Sequence, residues 1–341
     1  MIIFLIAWLV LIFYKIKIDS NSVPNPFNKE NSVILRGMAA LEIMIGHIGL
    51  ATGSKILFPN RKAGILFVGI FLALSGYGLM YSKENKKQYM DEFLGKRLCK
   101  LLIPAYSVYI IFVIFQMVQS KNIIYLRNII DMKHFFLNTN WYVWEIILLY
   151  CIFYTAYKIS VDRMSTLILG ASVIFILIAF ILKIPDPWYG STICFWLGVV
   201  YYKHQSNIEN KILENYILFL FGSVVILGFS ILLFFILNEN NIVGNVFARN
   251  IAAGSFICML IAILYKVKIG NIILYWCGIH SYEIYLFHIL YIAVIRQYIK
   301  NSILFGVCIV IVTILSAFCY SKIEKNLKLY FKKEKREQSE E

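Results

Sequence analysis

Charge is scarce in this chain: Asp, Glu, Lys and Arg make up 15% of its 341 residues. Prolines number six and histidines five. No CxxC pair and no Cys/His spacing suited to a metal occurs, which argues against a zinc or dithiol centre. There is no Walker loop and no Gly-x-Ser-x-Gly elbow, so P-loop and α/β-hydrolase chemistry are excluded. Leu74-Ser75-Gly76 lies inside a helical pattern and is no elbow. Acidic residues (19) are outnumbered by basic ones (33), giving a net charge of +14. The basic residues gather in short loops and in the tail, as the positive-inside rule requires, and not in a patch for nucleic acid.

What is abundant is apolar: 60% of residues, at a mean hydropathy of +0.73. They come in continuous blocks rather than alternating, which predicts an all-α, polytopic transmembrane helical bundle and not a β-barrel. About eleven spans are expected: 1–18, 33–52, 63–82, 101–119, 141–157, 164–183, 189–203, 215–237, 244–266, 269–293 and 302–323. The 189–203 block is short enough to be re-entrant. With the N-terminus outside, 23 of the 33 Lys and Arg fall on the cytoplasmic side and 10 outside. The expected topology is therefore N-out/C-in. Residues 1–32 read as an additional N-terminal span and a connector with Pro24 and Pro26. Residues 33–325 form the main membrane domain, and 326–341 a basic, then acidic, cytoplasmic tail. The seven cysteines lie in or beside spans and are expected to be packing residues.

Ionisable groups in hydrocarbon are costly, which makes the second span the first place to look for chemistry. Arg36 and His47 are eleven residues apart, three turns, and share a face at a separation of ~16 Å along the axis. A neutral imidazole suits a general base, and an arginine at the cytoplasmic rim suits a phosphorylated cosubstrate. The blander alternatives are a histidine that bonds neighbouring helices and an arginine that anchors a helix start. Glu42 falls on another face, where it pairs with a neighbouring helix or acts elsewhere in the cavity. Arg97 and Lys100 open a span ahead of Pro104, as an interfacial anchor or as further phosphate contacts. Trp141 and Glu145 begin a span on the external side, where an aromatic and a carboxylate facing outward would hold a sugar; an aromatic belt is the alternative. Ser281, Tyr285 and His288 form one face of a later span, either bonding helix to helix or lining a cavity. His134 and His204 sit in loops and carry little signal. Two faces of small residues, Gly46/Gly49/Gly53 and Gly69/Ala73/Gly76, predict close packing of the second and third spans.

Four stretches resemble, in order, the signatures of acyltransferase family 3, integral-membrane enzymes that are mainly bacterial envelope sugar O-acetyltransferases. They are Arg36-Gly-Met-Ala-Ala…Gly46-His47, Phe67-Val-Gly-Ile-Phe71-Leu-Ala-Leu-Ser75-Gly76-Tyr77, Arg97 through Pro104-Ala-Tyr106, and Cys277-Gly278-Ile-His-Ser281-Tyr-Glu-Ile-Tyr285-Leu-Phe-His288. Lys100 stands where the family commonly has arginine, the first span precedes the usual starting helix, and the hydrolase-like domain of some members has no counterpart. The resemblance implies an acyl-CoA donor, most simply acetyl-CoA, on the cytoplasmic side of a bacterial cytoplasmic membrane. The acceptor it implies is a hydroxyl of a sugar or polysaccharide, lipid-linked or free. On this reading Arg36, Arg97 and Lys100 contact CoA, His47 is the base, no metal is needed, and Ser75, Tyr285 or His288 stabilises the oxyanion. Direct transfer and an acyl-histidine intermediate both remain open. The rival class is a transporter or flippase of a lipid-linked saccharide, with His47 and the polar face lining its path.

Overall fold

The computed structural model describes residues 2–18, 25–120, 141–237 and 242–340. Pro24 and His134 lie outside them. In chain order the elements are α1 (Ile2–Phe13), β1 (Ile16–Ile18), α2 (Lys29–Thr52), α3 (Phe58–Asn85), α4 (Phe93–Ser120), α5 (Trp141–Ile159) and α6 (Met164–Ile181). There follow α7 (Ile193–Lys203), α8 (Gln205–Glu214), α9 (Tyr216–Ile236), α10 (Ile242–Leu264), β2 (Val267–Ile269), α11 (Ile272–Ile279), α12 (Ser281–Ile295) and α13 (Ser302–Glu340).

Among the described residues eight helices, α2 to α6, α9, α10 and α13, are long and apolar enough to cross a membrane, and the α11–α12 pair, bent by 77°, makes up to a ninth. The chain is a polytopic helical membrane protein. Two of the eleven expected spans are shorter than a bilayer: α1 has 12 residues and α7 has 11, ~18 and ~17 Å against a hydrocarbon core of ~30 Å. The block expected as one span over 269–293 is broken at His280. Small two-stranded pairing, β1 with β2, is the one departure from all-helical structure among the described residues.

Helix α9 shows why the medium must be lipid. Ile217, Leu218, Phe221, Phe229 and Ile236 are all at least 64% exposed along it. In water such a continuous apolar face would drive aggregation; in hydrocarbon it is the lipid contact. Helix α2 is the opposite case, with 83% of its apolar window buried among α3, α11, α12 and α13. It begins at Asn28, whose side chain accepts from the Asn31 N–H at 2.9 Å. It ends at Gly53, where φ is +64° and the cap N–H returns to the last carbonyls.

Helices α2 and α3 do pack together, but of the two glycine faces expected only that of α2 meets its partner. A Cβ on Gly46 would meet the Asn60 carbonyl oxygen at 2.9 Å, and one on Gly49 would meet Leu57 at 2.7 Å. Those glycines accommodate the turn into α3. The Gly69-Gly76 face instead meets Cys194 and Phe195 of α7 and Ala253 of α10.

Helix α1 is fastened at several points. Strands β1 and β2 pair antiparallel, Ile16 opposite Ile269, and the Asn271 amide donates to the Leu11 carbonyl at 2.6 Å. Trp8 is buried with its indole beside the Glu42 carboxylate. One Glu42 oxygen, Oε1, accepts from the Asn60 amide at 2.9 Å. Glu42 thus ties α2 to its neighbours, off the Arg36 face. Trp8→Ala is expected to destabilise the protein by ~3 kcal/mol, the usual scale for emptying a buried tryptophan site. A thermal melt in detergent reads this; an unchanged melting temperature would mean that α1 is an ornament.

Candidate active site

Arg36 lies in the second turn of α2 and is exposed although its helical neighbours are buried. Its Nε donates to the Ser32 carbonyl at 3.2 Å. Tyr142 and Tyr150 of α5 and Arg97 of α4 are within its electrostatic reach. Arg97 is held from the other side: Nε and Nη2 donate to the Tyr89 hydroxyl at 2.9 and 2.5 Å. Its guanidinium also sits 6.0 Å from the Tyr150 ring centre. Ser75 of α3 joins the cluster through a hydrogen-bonding contact with the Tyr150 hydroxyl. Neither guanidinium has a carboxylate partner among the described residues. Two like charges within electrostatic reach of one another, neither paired to a carboxylate among the described residues, form a site complementary to an anion.

Three turns along α2, His47 meets His288 of α12. Nδ1 of His47 and Nε2 of His288 are 2.8 Å apart, and Nδ1 of His288 is 3.0 Å from the Ile284 carbonyl oxygen. His288 is wholly buried, whereas His47 is only partly so. The ring of Tyr285 lies 5.7 Å from that of His288, and Tyr142 packs edge-on to Tyr285 at 5.4 Å. Tyr142 therefore connects the two clusters, facing Arg36 on one side and the histidine pair, through Tyr285, on the other.

The break at His280 makes this arrangement possible. Gly278 presses against the α2 backbone, where a Cβ would come within 1.8 Å of the Val33 carbonyl oxygen. Helix α11 is thereby fixed on α2, and the bend of 77° turns α12 back across it. Broken helices inside membrane domains commonly border a cavity.

Of the residues singled out from sequence, Arg36, Arg97, Ser75, His47, Tyr285 and His288 converge. Ser281 is buried at the start of α12. Lys100 is exposed. Glu145 does not face outward: it is 2% exposed and accepts from Thr192, the residue before α7, at 2.7 Å, which makes it a buried clamp between helices near Tyr285. Trp141 is half-buried against Tyr142, centroids 6.5 Å apart. Tyr89, Tyr142 and Tyr150 are not marked by the sequence, because in a chain with 23 tyrosines nothing local distinguishes a site tyrosine from an interfacial one.

Residues 33–322 match the family model of the acyltransferase domain, Acyl_transf_3. The chain belongs to the acyltransferase 3 family. Comparison with curated proteins returns no match, and neither does comparison with solved structures. An acyltransferase 3 protein is a membrane enzyme that takes an acyl group from a donor to an acceptor, which decides for group transfer over the transport reading. The matched span begins at the residue that starts the α2 core and leaves α1 outside it.

Proposed function

We propose that this acyltransferase moves an acetyl group from acetyl-CoA to a hydroxyl of an envelope or lipid-linked sugar. The observation that carries the reading is Arg36 and Arg97 within reach of one another and without a carboxylate partner among the described residues. An acyl donor with several phosphates supplies the missing negative charge, and each planar fork binds a phosphate bidentately. The orientation that suits it puts this pair at the cytoplasmic side. The meeting of the Lys17 and Lys268 strands at one end of the bundle supports that choice, since lysines collect on the cytoplasmic face.

In this mechanism the acceptor oxygen attacks the thioester carbonyl and its proton passes to His47. The carbon–sulfur bond then breaks, and the thiolate leaves with that proton. Tyr285 is the best placed of the expected oxyanion donors. It is 4% exposed, its hydroxyl oxygen has no well-formed partner, and it neighbours the histidine pair. Ser75 is already engaged with Tyr150.

The test is incorporation of label from [14C]acetyl-CoA into envelope polysaccharide by inside-out membrane vesicles that contain the protein. Arg36→Gln and Arg97→Gln are each expected to raise KM for acetyl-CoA by ~10-fold, the loss of one charge-assisted contact. Incorporation with an unchanged KM in both variants would remove the arginines from the donor site, and no incorporation by the wild type would sink the function.

A further inference from the structure

We infer that His288 is a positioning residue which fixes the ring nitrogen at which His47 reacts. This rests on the reading of His47 as the reacting group. A carbonyl oxygen only accepts hydrogen bonds. With the Ile284 oxygen 3.0 Å from Nδ1 of His288, that nitrogen carries the hydrogen. The neutral ring then presents a bare Nε2, and the 2.8 Å contact to His47 requires the hydrogen to sit on Nδ1 of His47. It follows that Nε2 of His47 holds an unshared lone pair. The ring of His47 bonds through Nδ1 alone among the described residues, and the residue stays partly accessible.

The geometry agrees with an in-plane bond. The ring planes differ by 12° and the centroids are 5.1 Å apart, so the rings meet end to end rather than face to face. A doubly protonated His288 would keep its bond to Ile284 and reverse the one to His47, with Nε2–H donating to Nδ1 of His47. It would also bury a cation, in a fully enclosed ring, against Tyr285 and a neutral imidazole, with no carboxylate beside it among the described residues. The neutral relay is the cheaper state. It differs from a base oriented by a carboxylate: when His47 takes a proton at Nε2, His288 shares the positive charge through Nδ1–H of His47 without adding a full negative charge. His288 is one of the three oxyanion donors that the family resemblance offers, beside Ser75 and Tyr285, and the lock removes it from that role, because the nitrogen that faces His47 accepts.

His288→Leu and His288→Gln in the full-length protein separate positioning from packing. The leucine variant fills space but neither accepts from His47 nor donates to Ile284. The glutamine amide offers an acceptor and a donor at a similar separation. In the labelled-vesicle assay the leucine variant is expected to lose ~10²-fold in kcat, with KM for acetyl-CoA within ~3-fold, and glutamine to restore ~10-fold of that loss. Nitrogen-15 NMR of histidine-labelled protein reads the lock without any turnover. The unprotonated nitrogen of His47 is expected to be Nε2 in the wild type and a mixture of both nitrogens in the leucine variant. An unprotonated Nδ1 in the wild type would overturn the inference, as would a leucine variant with wild-type kcat. A wild type that shows the Nε2 lone pair yet incorporates no acetyl overturns the proposed function and leaves the lock standing as a structural fact.

Discussion

Replacing His47 by alanine is expected to lower acetyl incorporation by ~10³-fold or more while the protein remains folded in the membrane. The fold should tolerate it. His47 is partly accessible, and its removal costs one hydrogen bond to His288, ~1 kcal/mol. Helix α2 stays fixed by its Asn28 cap, its Gly53 terminus and the Glu42–Asn60 bond. Size-exclusion chromatography in detergent checks the fold, and label incorporated from [14C]acetyl-CoA checks the chemistry. Near-normal incorporation would remove His47 from the reaction. The same nitrogen serves direct transfer as a base and two-step transfer as a nucleophile. Rapid quenching of the wild type in neutral denaturant, with labelled acetyl-CoA and no acceptor, separates them: label retained on the protein and lost in His47→Ala means an acetyl-imidazole, and no retained label means direct transfer.

Much of this arrangement is legible in the residues because lipid makes polar groups conspicuous. Arg36, His47 and His288 stand out in apolar blocks, and hydrocarbon tolerates such groups only when they face the interior. The site residues converge from α2, α3, α4 and α12, as an ordered set of family signatures implies. The break at His280 is not legible, since its cause is tertiary: Gly278 reads as an ordinary small residue until the Val33 carbonyl is found against it. The same holds for Gly69 and Gly76, whose spacing announces a contact face but not that the partner is α7 and α10. Glu145 misleads because a carboxylate near a span end looks like a surface ligand, and only Thr192 across the helix gap explains its burial. The role of His288 depends on a carbonyl one turn back, and sequence cannot say which of two ring nitrogens faces it.

Gly278→Ala is expected to damage stability and catalysis together. The added methyl would stand 1.8 Å from the Val33 carbonyl oxygen, and one on Gly37 would stand 1.9 Å from the Leu274 carbonyl oxygen. Helices α2 and α11 therefore cross backbone to backbone. Both obstacles are main-chain atoms that no rotamer change can move, so the helices must part by about 1 Å, at a cost of ~3 kcal/mol or more. Helix α12 follows α11 through His280, so the shift is passed to His288 and opens its 2.8 Å contact with His47. Gly198→Ala gives the contrast. Its methyl would meet the Ala73 carbonyl oxygen at 2.0 Å, an equal clash between α3 and α7 that leaves the α2–α12 contact alone. Gly170→Ala, with nothing within 4 Å of the new atom, is the neutral control. Thermal melts should fall for both clashing variants and hold for Gly170→Ala. Activity per folded molecule should fall much further in Gly278→Ala than in Gly198→Ala. Equal activity losses in the two would mean that the crossing of α2 and α11 stabilises the bundle without setting the distance between the histidines.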